Sequence, residues 1–506
     1  MSKISLLSKL LLAAQFVLVF MHSSLLANDK ASPALLLITA ESLKSDWQTF
    51  ADWKTANGKR TQIVTVDEIR QKHKADSVQE SIRLCVQSYI KEHSIKWVVL
   101  GGDCLPNGKG LVPGGHTTVH RQEPRGIPTD IVYLSSTNWD ADGDGIYGEF
   151  QDDRKAIEYP DGKVGLGRIP VRTSEDVKAF TEKVIQYESQ YPEKGFAKNM
   201  VYTCTDSPAY PKVKNSWDKY VSKSWDGSAK RFFSASTPWD KPGQKGSFDL
   251  SPGNLTDLIN KKSTGKIHIH GHGHLPGWVL EKRQFFSNEN VKDLNHTGAY
   301  PLITTVSCNT GEFDSQQDPS IVEKMIRYPR GGSVAIVAPV RTGKPHFANR
   351  SDFRLMVTEG KLDGTTLTMT RYWENGLGKK MTTGQALMTA KSQMAGDGAK
   401  SPNYHLCICE LNLLGDPSLD MRSENPQAAD FEVPGSLGTG KHKLQWKNLP
   451  PQATVCVWKK DDVYQTHRAS DKGVVTVTLS PKSTGELKVT VCGSNLNSRS
   501  KTILIK

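Results

Sequence analysis

Two stretches decide how this chain is read: Lys266-Ile-His-Ile-His-Gly-His-Gly-His274 and Leu302-Ile-Thr-Thr-Val-Ser-Cys-Asn-Thr-Gly-Glu-Phe313. The first alternates from Lys266 to His270 and breaks at Gly271; the second is β-branched from Leu302 to Val306 and breaks beyond Cys308. Both patterns predict a strand that delivers a reactive side chain at its end. In an α/β sheet, strand ends are where active sites gather. A cysteine is mostly thiol at neutral pH and needs an imidazole to take its proton, so Cys308 and His272 are the expected nucleophile and base. The glycines beside His272 and after Cys308 let backbone N–H groups approach a substrate oxygen.

Outward from these strands the chain alternates. Ala34 to Thr39 is a predicted strand and Glu41 to Asn57 an amphipathic helix ended by Gly58; Thr61 to Val66 is a strand, Ser77 to Glu92 a helix, and Trp97 to Leu100 a strand. A second block has strands at Met200 to Cys204, Ile267 to His270, Leu302 to Val306 and Val334 to Ala338, with a helix opened by Asp318-Pro-Ser. The expected architecture is a parallel α/β sheet. From about Asn425 the pattern changes to short alternating runs at Lys443 to Trp446, Thr454 to Trp458, Val474 to Leu479 and Leu487 to Cys492, an immunoglobulin-like β-sandwich signature.

The residues resemble the gingipain-type cysteine peptidases, which sit with caspases, legumains and separases in a caspase-like group. Gly271-His-Gly273 with Trp278 six residues after the histidine, and Ser307-Cys-Asn-Thr-Gly-Glu-Phe313, are similar to the family's two catalytic segments. Lys163-Val-Gly-Leu-Gly-Arg-Ile-Pro170 with Glu175 and Tyr187-Glu188, Gly332-Ser-Val-Ala-Ile-Val-Ala338, and Asn412-Leu-Leu-Gly-Asp-Pro-Ser-Leu419 extend the likeness from about Pro33 to about Arg422. The resemblance implies two caspase-like α/β subdomains, here residues 33–198 and 199–424, followed by the sandwich at 425–506. It implies amide hydrolysis through an acyl-enzyme on Cys308, with His272 as acid and base and the N–H groups of Gly273 and Cys308 around the oxyanion. The two catalytic side chains of that group need not touch at rest. Asp206 resembles in position the family's acidic residue that orients the histidine. Trp278 is carried over as a substrate-side residue, and Asp218 is one candidate for an acidic pocket base, beside its plainer reading as a solvated helix residue.

At 506 residues the chain exceeds a single core, which predicts two or three domains. Its 37% apolar content indicates folded material, and the formal charge of +12 is spread along the chain. No Lys/Arg stripe with interleaved aromatics points to nucleic acid, and protein or peptide substrates are the expected partners. Residues 1–27 read as an export signal, with Lys3 and Lys9 before the apolar run Leu10 to Met21 and cleavage at Ala27, although Leu25 fits the small-x-small rule poorly and an uncleaved anchor stays open. No later segment is apolar enough to cross a bilayer, so the mature protein is expected to be secreted or held at the cell surface. Of eight cysteines, Cys456 and Cys492 are the expected inter-sheet bridge of the sandwich, while Cys407 and Cys409 alternate on a strand-like core segment.

Asp140-Ala-Asp-Gly-Asp-Gly145 resembles the first half of a calcium loop, with oxygens at alternate positions before a glycine. Position twelve is Gln151, so Asp140, Asp142 and Asp144 need a further carboxylate, from Asp152 in the expected set, or from Asp153 or Glu149. Calcium there would be structural. Two other functions stand beside the peptidase. His268, His270, His272 and His274 share parity and offer a zinc-hydrolase site, though no Asp or Glu completes the pattern within the run. The third is a catalytically silent adhesion or binding protein on a peptidase scaffold.

Overall fold

The structure, a computed structural model, describes residues 32–106, 110–119, 126–192, 195–204, 227–233, 250–280, 283–315, 319–343 and 364–506. The export signal and the residues Asp206, Asp218 and Asp318 lie outside them. Ten strands make one sheet, in the order Thr61–Thr65, Leu35–Thr39, Trp97–Gly101, Gly165–Ile169, Leu411–Gly415, Ala335–Pro339, Leu302–Thr305, Lys266–His270, Asn199–Cys204 and Ser228–Phe233. The central strands are buried along their whole length, as a sheet covered on both faces requires.

The two α/β halves are therefore fused edge to edge. Leu411–Gly415 runs parallel to Gly165–Ile169 on one side and antiparallel to Ala335–Pro339 on the other, pairing Pro339 with Leu411 and Ala335 with Gly415. The halves run in opposite directions, and the expected parallel sheet contains this one antiparallel seam among the described strands. Residues Pro33–Lys506 form one compact unit.

Local sequence explains most elements. Ser77 caps the helix Val78–His93 by accepting the Glu80 N–H, and Gly58 follows the helix Gln48–Ala56 in the left-handed conformation at φ 76°. The single helix expected from Glu41 to Asn57 is instead a short 3-10 turn, Glu41–Leu43, followed by that helix. The break coincides with Trp47, whose indole donates to Thr39 Oγ1 at 3.1 Å and fills the space a Cβ on Gly101 would need. Cys407 and Cys409 lie on a helix, Pro402–Glu410, and not on a strand. Every residue from His405 to Glu410 is buried, so burial on all sides hid the helical period behind an apparent alternation.

The tail holds a five-stranded sheet, in the order Ser436–Leu437, Arg499–Ile505, Gly485–Cys492, Thr454–Lys459 and Val463–Arg468, and an antiparallel pair of His442–Trp446 with Val475–Leu479. This is consistent with the sandwich expected from the sequence. The expected inter-sheet disulfide is overturned. Cys456 and Cys492 sit on neighbouring strands of the same sheet, opposite Thr490 and Thr454, and both are free thiols. They face the end of the helix Gln48–Ala56, with Cys456 Sγ 3.4 Å from the Thr55 carbonyl and Cys492 Sγ 3.3 Å from that of Asn57.

Candidate active site

The histidine run divides at Gly271. His268 and His270 point into the core from Lys266–His270, where His268 stacks on Tyr202 at 5.0 Å and its Nδ1 lies 2.7 Å from Thr304 Oγ1. Burial pushes the His268 imidazole down to about 3, so it is neutral at any ordinary pH. Beyond the strand end, His272 and His274 are exposed. The run thus does not converge on one point, and among the described residues the only cluster suited to a metal is made of carboxylates.

After His272 the chain forms a small sheet from Gly273–His274, Gly277–Val279 and Phe285–Ser287. Gly273 lies opposite Trp278, while the His272 carbonyl accepts the Val279 N–H at 3.0 Å. That makes Gly273 and Trp278 a non-hydrogen-bonded pair, with the Gly273 N–H directed away from the hairpin. Trp278 is fully buried and stacked on Phe286 at 5.6 Å, so it anchors the hairpin from beneath; it is not an exposed wall for substrate.

The turn Cys308–Gly311 follows the strand Leu302–Thr305. Ser307 N–H donates to Thr305 Oγ1, Thr310 Oγ1 donates to the Ser307 carbonyl, and Asn309 takes a left-handed φ of 59°. The next strand holds the turn from outside: Asn309 N–H donates to the Arg341 carbonyl at 2.8 Å and Gly311 N–H to that of Pro339 at 2.9 Å. Cys308 is half-buried, its Sγ 3.8 Å from the Gly343 carbonyl, and burial pushes its thiol pKa upward.

The two arms meet through Gly273. A Cβ there would lie 2.7 Å from Ser307 Cβ and 3.0 Å from the Cys308 carbonyl oxygen, so only glycine lets the backbone after His272 close on the nucleophile turn. The helix Ile321–Arg327 ties both arms: its first N–H donates to the Leu275 carbonyl and that of Val322 to Thr310.

A supporting network went unread in the sequence. Arg341, buried, forks onto Asp314 at 2.8 and 2.7 Å, lies 3.7 Å from Glu312 and donates to the Gly126 carbonyl. His116 Nε2 sits 3.6 Å from Asp314 on the other side. Burial opposes ionisation of Asp314, but the hydrogen bonds from His116 and Arg341 outweigh it and hold the carboxyl well below its usual range. No spacing links positions 116, 314 and 341, so no periodicity could have announced them.

The acidic loop brings together Asp140, Asp142 and Asp153, with one carboxylate oxygen from each within 4.8 Å of the others. Asp153 therefore takes the place expected of Asp152, which is exposed, and Asp144 instead accepts the Ile146 N–H at 2.8 Å. Asp153 is fully buried, which pushes its carboxyl pKa upward, and it accepts N–H bonds from Ala141 and Glu149.

The family model of peptidase family C25 matches residues 28–422. Gingipain R2 of Porphyromonas gingivalis is 22% identical over 317 residues, covering 61% of this chain and 37% of the relative. Gingipain R1 of the same organism is also 22% identical over 317 residues, covering 61% of this chain and 27% of the relative. The chain thus spans well under half the length of these curated relatives. The crystal structure of the Arg specific cysteine proteinase gingipain R superposes with a TM-score of 0.66 at 20% identity, covering 95% of this chain and 99% of that one. The complex of the Porphyromonas gingivalis RgpB pro- and mature domains gives 0.65 at 18% identity, covering 93% and 100%. With a family match across most of its length and the gingipain fold beneath it, the chain belongs to peptidase family C25.

Proposed function

We propose that the protein is a cysteine endopeptidase that hydrolyses peptide bonds through Cys308 and His272. The observation that carries this reading is the contact of Gly273 with Ser307 and Cys308, which brings the backbone after an exposed histidine against a partly accessible cysteine. Cys308 Sγ attacks the scissile carbonyl as its proton passes to His272. The carbonyl oxygen becomes an oxyanion facing the N–H groups of Cys308 and Gly273, the second of which the hairpin register leaves unused. Collapse expels the amine, which takes the proton from His272. Water, deprotonated by His272, then hydrolyses the thioester. A thiol pKa raised by burial suits proton transfer during attack better than a standing thiolate.

Protein or peptide chains are the substrates, and export to the exterior or the cell surface follows from the basic and apolar pattern of residues 1–27. Among the described residues no helix is long and apolar enough to cross a membrane. Calcium fits the loop of Asp140, Asp142 and Asp153, whose hard oxygens and buried third carboxylate suit a divalent cation that neutralises mutual repulsion.

The test is turnover of a fluorogenic peptide mixture with Arg, Lys, Asn or Asp before the reporter, in the presence of reductant, for the wild type beside Cys308→Ala and His272→Ala. Turnover in the wild type and its loss in both variants is expected. Turnover retained by Cys308→Ala sinks the reading.

A further inference from the structure

The tail meets the α/β body over a cleft of about 370 Å³, remote in sequence from the catalytic turns and in the size range of small-molecule sites. Its walls come from the α/β body, among them the turn after the helix Gln48–Ala56, Lys96 with Trp97, Lys380 with Thr382 and the closing segment around Ser418–Arg422, and from the tail segments near Arg468 and Gly493. Its charges do not balance. The two carboxylates on the lining are already used by the protein itself. Glu188 accepts from Trp53 Nε1 at 2.7 Å and from Lys54 and Lys59, both at 2.9 Å. Asp420 accepts from Ser494 Oγ at 3.1 Å and from the Asn495 N–H at 2.6 Å.

Against them stand Lys96 and Lys380 from the body and Arg468 from the tail, all exposed and none with an ion-pair partner among the described residues. Three unmatched cations on a concave surface focus a positive potential that scattered surface lysines do not. The arginine fork suits two oxygens of one tetrahedral group, and the lysines supply point charges around it. We infer that this cleft is an anion site, distinct from the catalytic centre, for a small ligand bearing a phosphate or sulfate group. Because body and tail both supply walls, a bound anion bridges them and stabilises the whole unit.

The experiment follows thermal unfolding and calorimetric titration of the full chain with pyrophosphate and with a sulfated disaccharide, each against sodium chloride at about 0.15 M matched ionic strength. A rise in Tm of about 3 °C or more at saturation over the chloride control is expected for at least one of them. A response to pyrophosphate alone assigns a phosphorylated small molecule, and a response to the disaccharide alone assigns a sulfated glycan. The double variant K96E/R468E is expected to bind at least about tenfold more weakly. Its peptidase turnover is expected to stay unchanged. If K96E/R468E does not fold, K96Q/R468Q carries the same titration. No response beyond chloride from either ligand, or equal binding by the folded variant, overturns the site.

Discussion

Arg341 holds Asp314 through two parallel hydrogen bonds, at 2.8 and 2.7 Å, while its own carbonyl accepts the N–H of Asn309, the residue after the nucleophile. One residue thus joins a buried ion pair to the position of Cys308. Breaking a buried pair leaves an uncompensated charge, at a cost of about 3 kcal/mol. Arg341→Met is expected to lower the unfolding free energy by roughly that amount. It should cut kcat more than it raises KM, because the turn loses its support. Equilibrium denaturation and steady-state kinetics check this; wild-type stability in the variant would refute it.

Acid should act through the same pair. The folded Asp314 pKa is depressed, so its contribution is complete above the unfolded carboxylate value of about 4 and is lost as pH falls toward the folded value. Stability measured from pH 5 downward should fall more steeply in the wild type than in Asp314→Asn. Parallel pH profiles would remove Asp314 from the account.

Gly273→Ala tests the closure of the two arms. The added methyl would stand 2.6 Å from Thr310 Cγ2 and 2.7 Å from Ser307 Cβ, in surroundings fixed by the strand ends, so the hairpin must retreat. A displacement of this kind costs about a hundredfold in kcat. Far-ultraviolet circular dichroism should be unchanged. Full activity in the variant would show that the hairpin does not set the geometry of the site.

How much of this was legible varies with the reach of each interaction. Strand ends at His270 and Thr305 were readable, because alternation, β-branching and a following glycine are local signals. Trp278 was visible as a residue, but its burial depends on Phe286 arriving from a strand further along the chain. The helix carrying Cys407 and Cys409 was misread because its neighbours bury it on every side and erase the amphipathic period. The antiparallel seam and the Arg341, Asp314 and His116 network arise only from tertiary pairing, and no sequence spacing encodes them.

The acidic loop separates two neighbouring aspartates. Asp153 is buried and lies with Asp140 and Asp142, whereas Asp152 faces solvent. Calcium should raise Tm in the wild type and in Asp152→Asn, and should have little effect on Asp153→Asn. Thermal scans with calcium or a chelator decide it. Equal loss in both variants would return Asp152 to the ligand set.

The state of the nucleophile can be read from alkylation. Burial raises the Cys308 pKa above that of a free thiol, so the thiol form dominates at neutral pH. Inactivation by iodoacetamide should accelerate continuously from pH 6 to 9 with no acid plateau. His272→Ala should abolish turnover yet leave alkylation at pH 9 nearly intact, because at that pH the histidine is no longer needed to take the proton. A plateau reached near pH 6 in the wild type would instead reveal a standing thiolate paired with an imidazolium. The attack step would then begin from an ion pair, and the histidine would have done its work before the substrate arrived.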